Sequence, residues 1–373
     1  MDSKMHIQYK LSSVNINKEI KFKRTEEQIN NPNIKKIIKS YKEKICETNP
    51  TVFWHRKKYT IALPYIGNFN EKQIPTKARP IKMNQQYLDY CRKEIQEYLD
   101  KGLIRPSKSP WSYTWFYVMK AFEIERRAPR LVINYKSLNK VLKWIRYPLQ
   151  NKNDLIKTVH DTVIFSKFDI KSGYYQISVK EEDKYKITFI APFGHYEWNL
   201  MPQGLKNAPS EFQNIMNGIF YPYMKFSIVY LDDVLIFSKI ITKHINHLDT
   251  FIKIMKENEL VVSTRKMKIF QTKTRMLGYE IYHNIITPIQ RSLEFTSIFP
   301  NEIKDKQQLQ RFLGWVNYIV DFIPNIRIIY APLFKRFRKN LPTWSEEMTQ
   351  TIIKVKELVK KLPCLGYQIH KPF

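Results

Sequence analysis

Two adjacent aspartates, Asp232 and Asp233, interrupt the apolar run VYLDDVLIF. Moving two like charges out of water is costly unless a counter-charge is present. A divalent cation supplies that charge, and hard carboxylate oxygens suit Mg2+. The flanks SIVY and VLIF are both strand-like, so the pair reads as the turn of a β-hairpin. A plain aspartate-containing turn is the bland alternative. However, hairpin turns favour Asn-Gly or Asp-Gly, and Asp-Asp behind a leucine is a poor choice. FSKFDIKSGYYQ adds Asp169 at the end of another strand-like run. Asp169 meets the pair only if the two strands are neighbours. Three acids converging on an antiparallel sheet can hold two ions, the arrangement that serves in-line phosphoryl transfer.

The elements around these acids follow from periodicity. A helix begins after Asn84, keeps Leu88, Cys91, Ile95 and Leu99 on one face, and closes at Gly102. Pro106 and Pro110 then break the chain, and YTWFYVMK, RLVINY and TVIFSKFDI read as strands. PSEFQNIMNGIF places Phe212, Ile215, Met216, Ile219 and Phe220 in a helical stripe, and HINHLDTFIKIMKENEL predicts another helix. The last hundred residues read as a mostly helical second module. In it, DKQQLQRFLGWVNYIVDF carries Leu309, Phe312, Leu313, Val316 and Val320 at helical spacing. Upstream, NNPNIKKIIKS reads as a turn and a short basic helix within an extension of uncertain order.

Charge narrows the chemistry. Lysine and arginine number 63 against 34 acids, a formal +29 spread along 373 residues, which favours a polyanionic partner and nucleic acid first. Cys46, Cys91 and Cys364 form no CxxC pair, so neither a zinc ribbon nor a disulfide framework is expected, and a reducing compartment is the default. There is no apolar run long enough for a bilayer, and MDSKMHIQYK lacks a signal-peptide core. A basic chain with a two-metal acid cluster points to a nucleotidyl transferase or a nuclease. A nuclease usually gathers more acids and often a histidine, whereas these surroundings offer cations and aromatics.

The ordered motifs resemble the reverse transcriptases of retroid elements. YLDD (residues 230–233) resembles the family's Y-x-D-D signature, and FDIKSGYYQI its first catalytic segment. LMPQGLKNAPSEFQ resembles the segment that follows, RLVINYKSLN the fingers strand, MLGYEI the primer-grip hairpin and FLGWVNYIVDFIPN the segment after the palm. The resemblance covers residues from about 78 to 373. KSPWS, PRLVINYKSLNKVLKWIRYP and APFGHYEW are most similar to plant pararetroviruses of the badnavirus and tungrovirus branch.

The resemblance implies an α+β right-hand polymerase with fingers, an antiparallel-sheet palm and a mostly helical thumb. Residues 1–75 are then a basic extension, 76–160 the fingers together with 176–207, 161–175 and 208–284 the palm, and 285–373 the thumb and the start of a connection to a ribonuclease H domain beyond HKPF. Asp169, Asp232 and Asp233 become the catalytic acids. With the carbonyl of Ile170 they would hold two Mg2+. Lys266 matches a lysine that protonates pyrophosphate, and a plain surface lysine is the alternative. Tyr174 matches the aromatic gate that excludes a ribose 2′-hydroxyl, with Tyr175 as the alternative. Ser172 and Gly173 precede it in the same nucleotide-binding segment. Arg130 matches the triphosphate-binding arginine. Lys120 fits one register for a second triphosphate cation, and Arg126 or Arg127 another. Gln203 would touch the incoming nucleotide. Lys136, Asn139, Gly204, Leu277, Gly278 and Trp315 would contact primer and template. Trp315, with Arg311 and Asn317, is expected off the apolar stripe of its helix.

The expected partners are an RNA–DNA hybrid or DNA primer–template, dNTPs and the ribonuclease H neighbour, with no membrane. The expected location is host-cell cytoplasm or viral particle. An RNA-dependent RNA polymerase and a nucleic-acid-binding module with a dead site are the rivals. Tyr174 argues against the first, and the full set of three acids against the second.

Overall fold

The computed structural model describes residues 23–45, 58–74, 82–118, 130–159, 161–170, 172–282, 285–289, 293–294, 298–323, 325–337, 343–361 and 367–368. Its centre is a four-stranded antiparallel sheet in the order Lys268–Gln271, Ile164–Asp169, Asp233–Ser238, Ser227–Tyr230. Successive side chains on a strand point to opposite faces. Ile164, Phe168, Val229, Val234 and Ile236 accordingly join one core, while Phe165, Ile228, Leu235 and Phe237 join another. Both faces are covered, so these strands are apolar almost throughout rather than alternating.

The helices Ala208–Phe220 and Ile241–Glu257 cover the first face through Phe212, Met216, Leu248 and Phe251. Phe168 stacks on Phe251 with ring centroids 4.3 Å apart. Full burial of each such side chain stabilises the fold by about 1.5–3 kcal/mol. The second face is covered by the hairpin Lys273–Met276 and Tyr279–Tyr282 and by the helices Lys306–Tyr318 and Glu346–Lys360, through Met276, Phe312, Val316, Ile352 and Val355. Glu346 and Glu347 in the first turn and Lys360 in the last turn suit the dipole of that final helix.

The first core also holds a polar stitch. His244 is fully buried, with Nε2 2.7 Å from Ser166 Oγ and Nδ1 2.8 Å from Ser238 Oγ. Ser166 Oγ in turn accepts from the amide of Phe270 at 3.1 Å. One imidazole thereby links two central strands, the helix above them and the edge strand. Burial pushes its pKa down to about 3.

Other segments follow the sequence closely. The helix Gln85–Asp100 is capped by Asn84, whose side chain accepts from the Tyr87 amide, and Gly102 ends it at φ 63°. Trp115–Val118 pairs with Arg130–Ile133, and Gly194–Trp198 lies between Ile104–Pro106 and Thr188–Ala191.

Three expectations are adjusted. First, part of the basic extension is built into the fold. The helix Pro32–Ile45 buries Ile34 and Tyr41, and the Tyr41 hydroxyl donates to Asp249 at 2.9 Å. Thr60–Ile61 pairs in parallel with Ser178–Val179. Second, the expected hairpin at MLGYEI, Lys273–Met276 and Tyr279–Tyr282, is extended by Ile285–Pro288 and Tyr367–Gln368 into a four-stranded sheet, so the mostly helical module also carries strands. Third, Trp315 is not off the apolar stripe. It is 9% exposed and lies 6.2 Å from the Phe312 ring, because its helix is covered on more of its circumference than a surface helix.

Candidate active site

Asp169 ends one central strand and Asp233 opens the next, and the two are directly opposed in the antiparallel register. Asp233 also pairs with Tyr230, so Leu231 and Asp232 form the hairpin turn. Leu231 has φ 50°, a strained value for a residue with a branched side chain. Gln213 holds it there. The Gln213 Oε1 accepts from the Leu231 amide at 2.6 Å, and its Nε2 donates to the Val229 carbonyl at 3.2 Å. The sequence reading missed this residue, although a glutamine inside the Phe212–Met216 stripe was the available signal. The Asp232 carbonyl accepts from the Ile170 amide at 2.7 Å, and the Asp169 carbonyl from the Ser263 amide at 2.8 Å. The acid-bearing backbone is therefore fixed from three sides.

Two lysines lie among the acids. Lys266 Nζ is 3.0 and 2.9 Å from the two carboxylate oxygens of Asp169. Lys167 Nζ is 3.1 Å from Asp233 Oδ2. Asp232 has its Oδ1 buried against Gly173 and without a hydrogen bond. Burial, and then the charges of Asp169 and Asp233, push the Asp232 pKa up to about 6, with Lys266 opposing. In this arrangement no three His, Cys, Asp or Glu groups among the described residues close into a metal-binding set. The donors nonetheless fit a hard divalent ion: all are oxygens, and Asp232 Oδ1 is buried without a partner.

Tyr174 and Tyr175 are separated by their neighbours. Tyr174 meets Phe212 edge-on at 5.4 Å, beside Gly173 and the acid turn. Tyr175 stacks on Trp198 at 5.0 Å, within the sheet of Gly194–Trp198. Ser172 is exposed and turns the chain at φ 50°.

Gln203 and Gly204 are exposed in a turn, with Gly204 at φ 101°. Asn139 organises that turn: its Nδ2 donates to the Gly204 carbonyl at 2.9 Å, and its Oδ1 accepts from the Lys206 amide at 2.8 Å. Lys136 is exposed at the start of the same short helix. Leu277 and Gly278 form the turn of the neighbouring hairpin at φ 56° and 89°. The Gly278 carbonyl accepts from the Tyr318 hydroxyl, and Gly278 has no room for a side chain beneath that ring. Arg130 is described only as backbone opening a strand, paired with Val118. Lys120, Arg126 and Arg127 lie outside the described residues.

Comparison with known proteins places this geometry. Residues 123–281 match the family described as reverse transcriptase (RNA-dependent DNA polymerase). The chain is 36% identical over 338 residues to the enzymatic polyprotein of cauliflower mosaic virus (strain Strasbourg), covering 89% of this chain and 49% of that protein. It is 37% identical over 313 residues to the genome polyprotein of petunia vein clearing virus (isolate Hohn), covering 84% of this chain and 14% of that protein. The chain thus spans about half, or less, of the length of these relatives. Among solved structures, the foamy viral protease–reverse transcriptase in complex with double-stranded DNA matches with a TM-score of 0.74 at 19% identity, over 94% of this chain and 72% of that one. The same enzyme in complex with an RNA/DNA hybrid matches with a TM-score of 0.70 at 18% identity, over 95% and 46%. The fold is that of a right-hand polymerase. No helix among the described residues is long and apolar enough to cross a membrane.

Proposed function

From a reverse transcriptase match over residues 123–281 set in a right-hand polymerase fold, we propose that this chain is the polymerase portion of a plant pararetroviral polyprotein. It extends a primer 3′-hydroxyl with dNTPs on RNA or DNA templates. The observation that carries this reading is the meeting of Asp169, Asp232 and Asp233 at one sheet end. KSPWS and APFGHYEW favour the badnavirus and tungrovirus branch, with a likeness to rice tungro bacilliform virus. A ribonuclease H domain following in the same polyprotein, and action in the host cytoplasm or viral particle, complete the proposal.

Asp169, Asp232, Asp233 and the Ile170 carbonyl are the groups that would hold two Mg2+. Such ions supply activation of the attacking hydroxyl and neutralisation of the leaving phosphate. The chain's own residues do the rest. The Leu277–Gly278 turn holds the primer terminus so that its hydroxyl faces the α-phosphate. Tyr174 lies under the incoming sugar, where a 2′-hydroxyl would clash. Arg130, with Lys120 or a neighbouring arginine, binds the triphosphate. Ser172, Gly173 and Gln203 border the nucleotide, and Lys266 delivers a proton to the departing pyrophosphate. Lys136, Asn139 and Gly204 face the template. The nucleic-acid complexes of the foamy viral enzyme support duplex partners of both kinds.

Primer extension on poly(rA) with Mg2+ tests the reading, with Asp232→Asn as the control. Wild-type extension, and loss of extension in the variant with duplex affinity retained, is the expected result. Normal extension by Asp232→Asn would remove the assignment of the acids. Preference for rNTPs would favour an RNA polymerase.

A further inference from the structure

The two lysines among the acids are not equivalent. Lys266 ends a short 3-10 turn, its side chain is 50% exposed, and its ammonium contacts both oxygens of one carboxylate, Asp169. Lys167 sits inside the central strand Ile164–Asp169 and its side chain is 23% exposed. Its ammonium donates to two different elements, Asp233 Oδ2 at 3.1 Å and the Arg275 carbonyl at 3.1 Å. Arg275 belongs to the first strand of the hairpin that turns at Leu277 and Gly278.

Sheet stability does not account for this lysine. Its register partner on the edge strand is Lys268, and like charges directly opposite are destabilising. Of the other residues in FSKFD, Phe165, Ser166 and Phe168 are buried, and Asp169 is paired with Lys266. A lysine here is favourable because its donors find a carboxylate and a backbone carbonyl of the neighbouring hairpin. A cation held by two anchors stays in place when one carboxylate changes partners. A cation held by one exposed carboxylate is displaced more readily.

We infer that Lys167 is a positioning residue: it neutralises Asp233 permanently and ties the acid hairpin to the Leu277–Gly278 hairpin, so that the catalytic acids and the primer terminus keep one spacing. Lys266, in contrast, is the exchangeable cation, which yields Asp169 to a divalent ion. The division of labour among the acids then follows. Asp169 and Asp232 would be the principal ligands of the ions, and Asp233, held by Lys167, a lesser one. The inference rests on the proposed function only for its activity readout.

Three variants test it on the full chain: Lys167→Met, Lys167→Gln and Lys167→Arg. Amide hydrogen exchange over residues 273–282 and Mn2+ binding by electron paramagnetic resonance are measured on the metal-free protein, followed by single-turnover extension. Lys167→Met should speed exchange in the hairpin by about 10-fold or more. It should tighten Mn2+ binding by about 3-fold or more, because Asp233 is released. Its extension rate should fall while the KM for dNTP holds. Lys167→Gln can still donate to the Arg275 carbonyl, so it should keep the hairpin protected yet tighten Mn2+, and it serves if the Met variant does not fold. Lys167→Arg should resemble wild type in both. Unchanged exchange and unchanged Mn2+ affinity in the Met or Gln variant would overturn the inference. A wild-type chain that fails to extend would instead count against the proposed function, leaving the exchange and Mn2+ results to judge Lys167.

Discussion

Gly173 and Asp232 are packed so that the absence of a side chain on the glycine shapes the acid's surroundings. A Cβ on Gly173 would run into both Asp232 Oδ1 and the Phe212 ring. The acid's buried oxygen is thus confined by the backbone of the segment that carries Tyr174. Gly173 has no left-handed φ, so the requirement is for space rather than for conformation.

Gly173→Ala should therefore abolish extension while costing about 1–3 kcal/mol of stability through overpacking. Thermal unfolding and primer extension measure the two effects. Gly173→Ala with Phe212→Leu should recover much of the stability but little activity, since the clash with Asp232 persists. A single variant with wild-type extension would show that the acid does not need this space.

Tyr174→Ala and Tyr175→Ala should separate cleanly. Tyr174 lies beside the acids, whereas Tyr175 is stacked on Trp198. Loss of Tyr174 should raise rNTP use relative to dNTP by about 100-fold, the scale of a lost steric discrimination. Loss of Tyr175 should lower the melting temperature and leave sugar selection alone. Competitive incorporation of rNTP and dNTP distinguishes them. The reverse pattern would move the gate to Tyr175.

His244 makes acid stability testable. Its folded pKa is lowered to about 3 from an ordinary 6.5, so the folded state binds fewer protons than the unfolded one between those values. Stability from this group is full above the unfolded pKa and is lost as pH falls toward the folded one, at up to about 1.4 kcal/mol per pH unit. His244→Gln should be less stable at neutral pH but show a shallower decline below about pH 6.5. Urea titrations at several pH values give both slopes, and identical slopes would exclude His244 as the sensor.

Binding of a primer–template duplex should depend steeply on salt. For roughly six to ten neutralised phosphates, affinity should fall by about 10^3–10^5 between about 50 and 200 mM salt. The ranking of RNA–DNA over DNA–DNA duplexes should persist, because it comes from shape and 2′-hydroxyl contacts. Fluorescence anisotropy on both duplexes measures this. A flat response would assign the +29 charge to another partner.

The central hairpin and its neighbouring Asp169 strand were legible as short apolar runs broken at the acids, and the two covering helices by their helical period. Asn84 and Gly102 marked their helix ends through cap chemistry that is local. Residues whose roles depend on distant partners were not legible. Gln213 clamps a turn 18 positions away, and Lys167 reaches a carbonyl 108 positions away. Trp315 was misplaced because the period of one helix says how wide its stripe is only when the covering elements are known. The docking of the helix Pro32–Ile45, read as a short basic helix in an extension of uncertain order, was not legible because its partner, the Asp249 helix, lies more than 200 positions downstream.

The second core has a consequence for cutting the molecule into pieces. It joins Leu155, Phe165, Ile228, Leu235 and Phe237 to Phe312, Val316, Ile352, Val355 and Val359. A fragment ending near residue 285 would expose the underside of the acid-bearing sheet, with two central strands left bare on one side. Such a fragment would be prone to aggregate whatever its fingers do. Expression of separable parts should follow this core, not the outline of a hand. The shortest piece that closes it runs through Val359.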